Sequence, residues 1–297
     1  MSTPQAPAGA PASAPAQWGA YASPIPVRSA HLGHALASEW TKIRTVRSTM
    51  WTLLTMFVLV VGIGLLAALT LGTSEDLFSP LLSGGLFGLM LGQICVVTLG
   101  VLVVTSEYGT GMIRTTLTAC PSRVRVLTAK AIVFFGLSFT MILLATTITA
   151  AIQVAVLGGR RPSEYAELPA GSVAGGEVVA SSGQWLGATV GASLYVALLG
   201  LLALAVGALL RHSAGAITAM LGIILLPLLL ALFMQTESLV EVQEALVTYS
   251  PLNGLAGLFG LPFMDEGGNG WNLLWVLAAV TLAALVAAVA TAERRDV

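Results

Sequence analysis

The chain has 297 residues, of which 56% are A, V, I, L, M, F, W, Y or C and only 9% are charged; its mean hydropathy is +0.90. A soluble domain carries about 25% charged residues, and a chain this apolar lacks the polar surface a water-facing fold needs, so the composition is that of a membrane protein. The net charge of -1 excludes the basic excess of a nucleic-acid binder, and two cysteines, Cys95 and Cys120, exclude a disulfide-rich secreted scaffold.

Residues 1–27 hold six of the thirteen prolines amid Ala, Ser and Gly. No apolar periodicity runs through them, and they read as a disordered tail. The stretch is not a signal peptide, because no charged region leads directly into a short apolar one. The arm 31–48 follows. On a helical wheel Leu32, Leu36, Trp40, Ile43 and Val46 share one arc with Lys42 and Arg44 on the flanks, as in a helix lying in the membrane plane. Glu39 falls inside that arc; it is expected to pair with Lys42 three residues on or to turn towards a protein partner.

Crossing a bilayer takes roughly 20 apolar residues of helix. Six segments have that length, 49–71, 81–105, 131–157, 185–210, 214–234 and 271–291, and none contains Asp, Glu, Lys, Arg or His. The expected fold is therefore an all-α polytopic membrane protein. In the second span Gly84, Gly88 and Gly92 recur every fourth residue and permit close helix contact, most simply within one subunit. Between the second and third spans, 106–130 reads as two short helices. Ile113, Leu117 and Cys120 form an apolar stripe with Arg114 and Thr118 opposite, Pro121 breaks the chain, and Ser122 caps a segment carrying Arg123, Arg125 and Lys130 into the third span.

Only Arg211, His212 and Ser213 separate the fourth and fifth spans, which marks a tight helical hairpin, and Pro227 is expected to kink the fifth. In the connection 235–270, residues 237–247 can form a short helix with Leu239, Val242 and Leu246 on one side. Tyr249, Ser250 and Pro251 interrupt it, and the apolar run 252–263 is too short to span.

Sorting Lys and Arg by connection gives Arg28, Lys42, Arg44, Arg47, Arg114, Arg123, Arg125, Lys130, Arg211, Arg294 and Arg295 on one side, eleven in all, and only Arg160 and Arg161 on the other. That other side holds ten of the fourteen acids, Asp265 and Glu266 among them. The positive-inside rule then places both termini in the cytoplasm.

The residues also exclude chemistries. His31, His34 and His212 all lie outside the spans, which leaves an intramembrane metalloprotease or serine–histidine dyad without ligand or base. A proton-coupled carrier keeps an ionisable group at depth, and the spans hold only Gln93, Gln153, Thr and Ser, which read as interhelical hydrogen-bonding groups. A Walker A loop ends in Gly-Lys-Ser/Thr, whereas Lys42 lies in Thr-Lys-Ile and Lys130 in Ala-Lys-Ala. The chain is expected to have no metal site, no enzymatic activity and no ATPase site of its own.

The arm ASEWTKIRTVRSTMWTL, the loop EYGTGMIRTTLTACPSRVRVLTAKA and the hairpin LLRHSAGA resemble the permease subunits of type-2 ABC exporters in the form common in actinobacteria. The likeness runs from about residue 37 to the end, with Met112 where the family has Thr. It implies a six-helix transmembrane domain over 49–297 preceded by an elbow helix at 28–48, in the bacterial cell membrane. It also implies a coupling helix at 110–119, a second permease copy forming the pathway as a dimer, and a separate ATPase that holds ATP and Mg. On this likeness Glu107, Tyr108, Arg114 and Arg123 would be ATPase-coupling contacts, Glu39, Lys42 and Arg44 would be elbow contacts with Glu39 as a latch, and 235–270 would be a re-entrant pair shielding the exit.

From the residues alone plainer readings stand beside these: basic loops that only set topology, a capped external hairpin, or a non-transporting membrane scaffold or sensor with the proline-rich tail as its docking segment. A passive channel would need a ring of charged or carbonyl-presenting residues, and none is evident in the sequence. The uncharged spans favour an apolar or amphipathic cargo.

Overall fold

The computed structural model describes residues 31–74, 76–120, 122–166, 168–234, 236–263 and 270–294. The tail 1–27 lies outside them, as do Arg28, Pro121, Asp265, Glu266 and Arg295. Among the described residues the chain forms ten helices: α1 (Leu32–Thr45), α2 (Arg47–Leu71), α3 (Gly84–Gly109), α4 (Met112–Ala119), α5 (Arg123–Leu157), α6 (Ser182–Leu210), α7 (Ser213–Phe233), α8 (Val240–Thr248), α9 (Pro251–Leu258) and α10 (Gly270–Arg294). Six of them, α2, α3, α5, α6, α7 and α10, are long and apolar enough to cross a membrane, and they match the six expected spans. The protein is a multi-pass helical membrane protein.

The bundle is built around α6 and α3, in whose most apolar stretches 67% and 56% of the residues are buried, against 22 to 28% in the other four long helices. Small residues make the inner contacts possible. A Cβ on Gly88 would lie 2.6 Å from the Val60 carbonyl oxygen of α2, and one on Gly92 would lie 2.7 Å from a Val60 methyl, so the spaced glycines seat α3 against α2 as expected. A second crossing, between Gly100 of α3 and Gly200 of α6, is as close: a Cβ on Gly100 would lie 2.3 Å from the Gly200 oxygen. In the absence of a hydrophobic force between helices in lipid, such close backbone approach is a main source of association.

Span polar groups bond both across and within helices. Thr146 and Ser193 hydroxyls meet at 3.2 Å between α5 and α6, and Gln153, with its amide turned to suit its neighbours, donates to the Leu82 oxygen and accepts from the Gly85 amide. Gln93 departs from the interhelical expectation, since its amide donates to Met90 of its own helix at 3.2 Å.

At the acid-rich end, paired two-residue strands stitch the connections together. Asp76–Leu77 lies parallel to Arg161–Pro162, and the Arg160 guanidinium donates to the carbonyls of Gly72 and Ser74. The hairpin of Val173–Ala174 with Glu177–Val178 turns on Gly175 and Gly176, both at positive φ, as a two-residue turn of that hand requires. α6 carries a π-helical segment, Gly187–Gly191, where Gly187 lies against the Leu258 backbone of α9. α7 continues through Pro227 to Phe233.

The connection after α7 differs in detail from its expectation. A 3-10 turn, Glu237–Leu239, leads into α8, and Ser250 caps α9 by accepting from the Asn253 amide at 3.1 Å. The expected apolar face of α8 is not the packed one: Val247 is buried and Leu246 half-buried, but Leu239 and Val242 are exposed. Gln243 explains the rotation, because its amide donates to the Ala231 oxygen of α7 at 3.0 Å and turns that side of α8 inward. α9 is almost wholly buried, and Asn253 clamps its start by donating to Thr248 and accepting from the Phe263 amide.

Candidate functional site

The basic end of the bundle is where the sequence-derived candidates converge, and local rules explain the parts. α1 ends at Thr45, three residues before the expected limit, because Val46 is extended (φ -78°, ψ 107°); the chain turns there, and Arg47 and Ser48 already belong to α2. α4 likewise begins at Met112, not at residue 110, because Gly111 takes φ 72° and makes the corner after α3. Its apolar stripe is as expected, with Ile113 buried, Leu117 and Cys120 half-buried, and Arg114 and Thr118 exposed. The second short helix expected in 106–130 does not exist separately. Ser122 accepts from the Arg125 amide and starts α5, which runs unbroken for 35 residues into the membrane, so Arg123, Arg125 and Lys130 are on the spanning helix itself.

Four charges meet between these elements. Lys42 Nζ donates to Glu39 Oε1 at 2.7 Å and to Glu107 Oε1 at 2.9 Å; Lys130 Nζ donates to Glu39 Oε2 at 2.8 Å and to Glu107 Oε1 at 2.7 Å. Two carboxylates and two ammonium groups alternate in a closed, formally neutral ring that joins α1, the end of α3 and α5. Thr116 of α4 adds its hydroxyl at 3.4 Å from Lys42 Nζ. The side chains of Glu39, Glu107 and Lys130 are 5% exposed or less, while Lys42 at 28% forms the outer edge. Burial by itself lowers the Lys42 pKa, but hydrogen bonds and attraction from Glu39 and Glu107 outweigh it and hold the ammonium above the ordinary lysine value. Pairing is what makes this burial tolerable, since each ion alone would lose several kcal/mol of hydration.

Of the two outcomes foreseen for Glu39, the local pair with Lys42 forms, and the same carboxylate also reaches Lys130 of this chain, 91 positions away. The placement explains why a carboxylate sits in the apolar arc. The side of α1 that packs on the bundle carries Glu39 and Ile43, and Leu32, Trp40 and Val46 remain exposed.

Tyr108 and Arg123 lie beside the ring. The Arg211 guanidinium sits 5.0 Å over the Tyr108 ring, and Arg123 donates to the Ala292 carbonyl of α10 at 2.7 Å. The expected α6–α7 hairpin is present; Arg211 makes its corner at φ 55°, and His212 Nδ1 accepts from the Gly215 amide at 3.0 Å to start α7. A small recess bounded by Tyr108, Leu117, Arg123, Lys130 and Arg211 lies among these helix ends. Of the seven candidates, Glu39, Lys42 and Glu107 come together, Tyr108 and Arg123 border them, and Arg114 and Arg44 are exposed away from the ring.

Lys130 is the residue missed. Its signal was compositional: Lys42 and Lys130 are the only lysines beside eleven arginines, and both are in the ring. Among the described residues no group of His, Cys, Asp and Glu is placed to hold a metal. Comparison with protein-family models and with curated proteins finds no match for the chain.

Proposed function

We propose that the chain is the membrane permease subunit of an ATP-driven exporter of the type-2 ABC kind, in a bacterial cell membrane with both termini cytoplasmic. A separate ATPase subunit binds ATP and Mg, and a second permease copy completes the pathway. The observation that supports this most is the buried Glu39–Lys42–Glu107–Lys130 ring, which ties an amphipathic surface helix to the ends of two spans beside the exposed helix α4. The lack of any charge deeper in the spans supports it too, because energy then has to enter at this end from a partner.

On this reading the ATPase grips α1 and α4. Arg114, exposed on α4, meets it directly, while the buried Glu107, bordered by Tyr108, passes displacement of α1 and α4 to α3 and α5. This is a rigid-element, two-state change. The α8–α9 pair at the opposite end is the candidate exit shield.

The test is recovery of the tagged full-length chain from its own host's membranes in mild detergent. A Walker A-bearing ATPase is expected in one-to-one ratio, and Arg114→Glu is expected to weaken its retention about tenfold, a loss of roughly 1.4 kcal/mol, with the chain's gel-filtration profile unchanged. Absence of such an ATPase, or its full retention by Arg114→Glu, overturns the reading. Deletion of residues 2–27 is expected to leave retention intact; loss on that deletion would favour a scaffold instead.

A further inference from the structure

Outside the ring, on the outer surface of the bundle at the same end, α1, α2 and α5 border a groove of about 670 Å³, a volume in the range of small-molecule sites. Its composition is divided. Arg44, Arg47, Trp40 and Trp51 line it together with apolar residues that include Phe57 and Leu137. Trp40 and Trp51 are 45% and 65% exposed, and both arginines are exposed as well. Neither arginine has a carboxylate or hydrogen-bond partner for its guanidinium among the described residues. This contrasts with the neighbouring ring, where every cation is matched by an anion. α2 also begins at Arg47 with no capping side chain, so the partial positive charge of its N-terminus adds to the same rim.

We propose that this groove holds an anionic glycerophospholipid of the adjoining leaflet, its phosphodiester held by Arg44 and Arg47 and one acyl chain laid along the apolar wall. Charge complementarity selects the occupant. Two unmatched guanidinium groups at one rim call for an anion, and guanidinium matches phosphate oxygens bidentately. The wall requires a long apolar chain attached to that anion, and indole rings favour the level of the headgroups. A zwitterionic lipid carries its own cation beside the phosphate and would set it against the two arginines. The inference depends on the six spans and not on the exporter reading.

The test uses the full-length chain in phosphatidylcholine nanodiscs in which acyl-brominated phosphatidylglycerol or, in parallel, acyl-brominated phosphatidylcholine is raised stepwise in mole fraction. Quenching at Trp40 and Trp51 is taken as the difference between the wild type and Trp40→Phe/Trp51→Phe. The brominated phosphatidylglycerol is expected to quench that component at several-fold lower mole fraction than the phosphatidylcholine. Arg44→Gln/Arg47→Gln should abolish the preference. Arg44→Lys/Arg47→Lys keeps both charges and should retain most of it. Equal quenching by the two lipids overturns the proposal, as does a preference that survives the Gln pair or is lost equally in the Lys pair. Quenching by neither lipid means that protein covers the groove, and relief of quenching by millimolar inorganic phosphate means a site for a free anion; each of these also overturns it.

Discussion

Lys130 bridges two carboxylates that come from sites 91 and 23 positions away, which makes it the residue on which the ring most depends. Lys130→Met leaves Glu39 and Glu107 with one shared ammonium, and breaking a buried ion pair from one side costs about 3 to 5 kcal/mol. A large fall in melting temperature in detergent is expected, and Glu107→Gln/Lys130→Met should recover much of it; a small loss from the single change would show that the ring contributes little. Lys42 gives a pH prediction. Its folded pKa lies above the ordinary 10.5, so its contribution is complete below that value and is lost only as pH rises through the folded pKa. Thermal stability should accordingly show no Lys42-dependent change from neutrality to about pH 10 and a fall above it. Lys42→Met should lack that alkaline fall, as melting curves at successive pH values can check. Half of the ring was legible beforehand because Glu39 and Lys42 are three residues apart on one helix, where spacing dictates contact. Lys130 was not, because its partners arrive through tertiary packing and its neighbours in sequence read as an ordinary basic flank.

At the scale of helices, legibility followed the physics of lipid. Every spanning segment must satisfy its backbone internally and stay apolar through the hydrocarbon, so five of the six spans could be placed to within about four residues, while α5 begins eight residues ahead of its apolar stretch. The glycines of α3 were also legible as a packing stripe, and Gly88→Val tests them. With Val60 backbone 2.6 to 3.2 Å from the position of a Cβ, α2 and α3 must separate. Overpacking of this kind costs about 1 to 3 kcal/mol, so a clearly lowered melting temperature is expected for Gly88→Val. Gly62→Val, with nothing within 4 Å, serves as the neutral comparison; equal effects would show that the helix contact is not what Gly88 supplies. The short helices were harder. α8 shows the reason: its wheel offered one apolar face, but the Gln243 bond to α7 turned another inward, and such a choice is made by a neighbour the wheel does not contain.

For the whole molecule, the alternation of ends is fixed by contacts: Tyr108 with Arg211 and Arg123 with Ala292 at one end, Arg160 with Gly72 and Ser74 at the other. Which end faces the cytoplasm is testable in a background lacking Cys95 and Cys120. Thr118→Cys on α4 is expected to resist an impermeant thiol reagent in intact cells and to react after permeabilisation, while Tyr165→Cys, 85% exposed in wild type at the other end, reacts in both. The reverse pattern would invert the topology. The length of α5 bears on how such a bundle moves. Thirty-five residues at about 1.5 Å each make a rod of about 52 Å, well beyond the roughly 30 Å of hydrocarbon. Tilting such a lever by about 5° swings one tip by about 4 to 5 Å relative to the other. Ion pairs held at 2.7 to 2.9 Å do not stretch that far. The Lys130 end of α5 therefore carries α1 and the tip of α3 with it as one body, or the rivet between them has to shear.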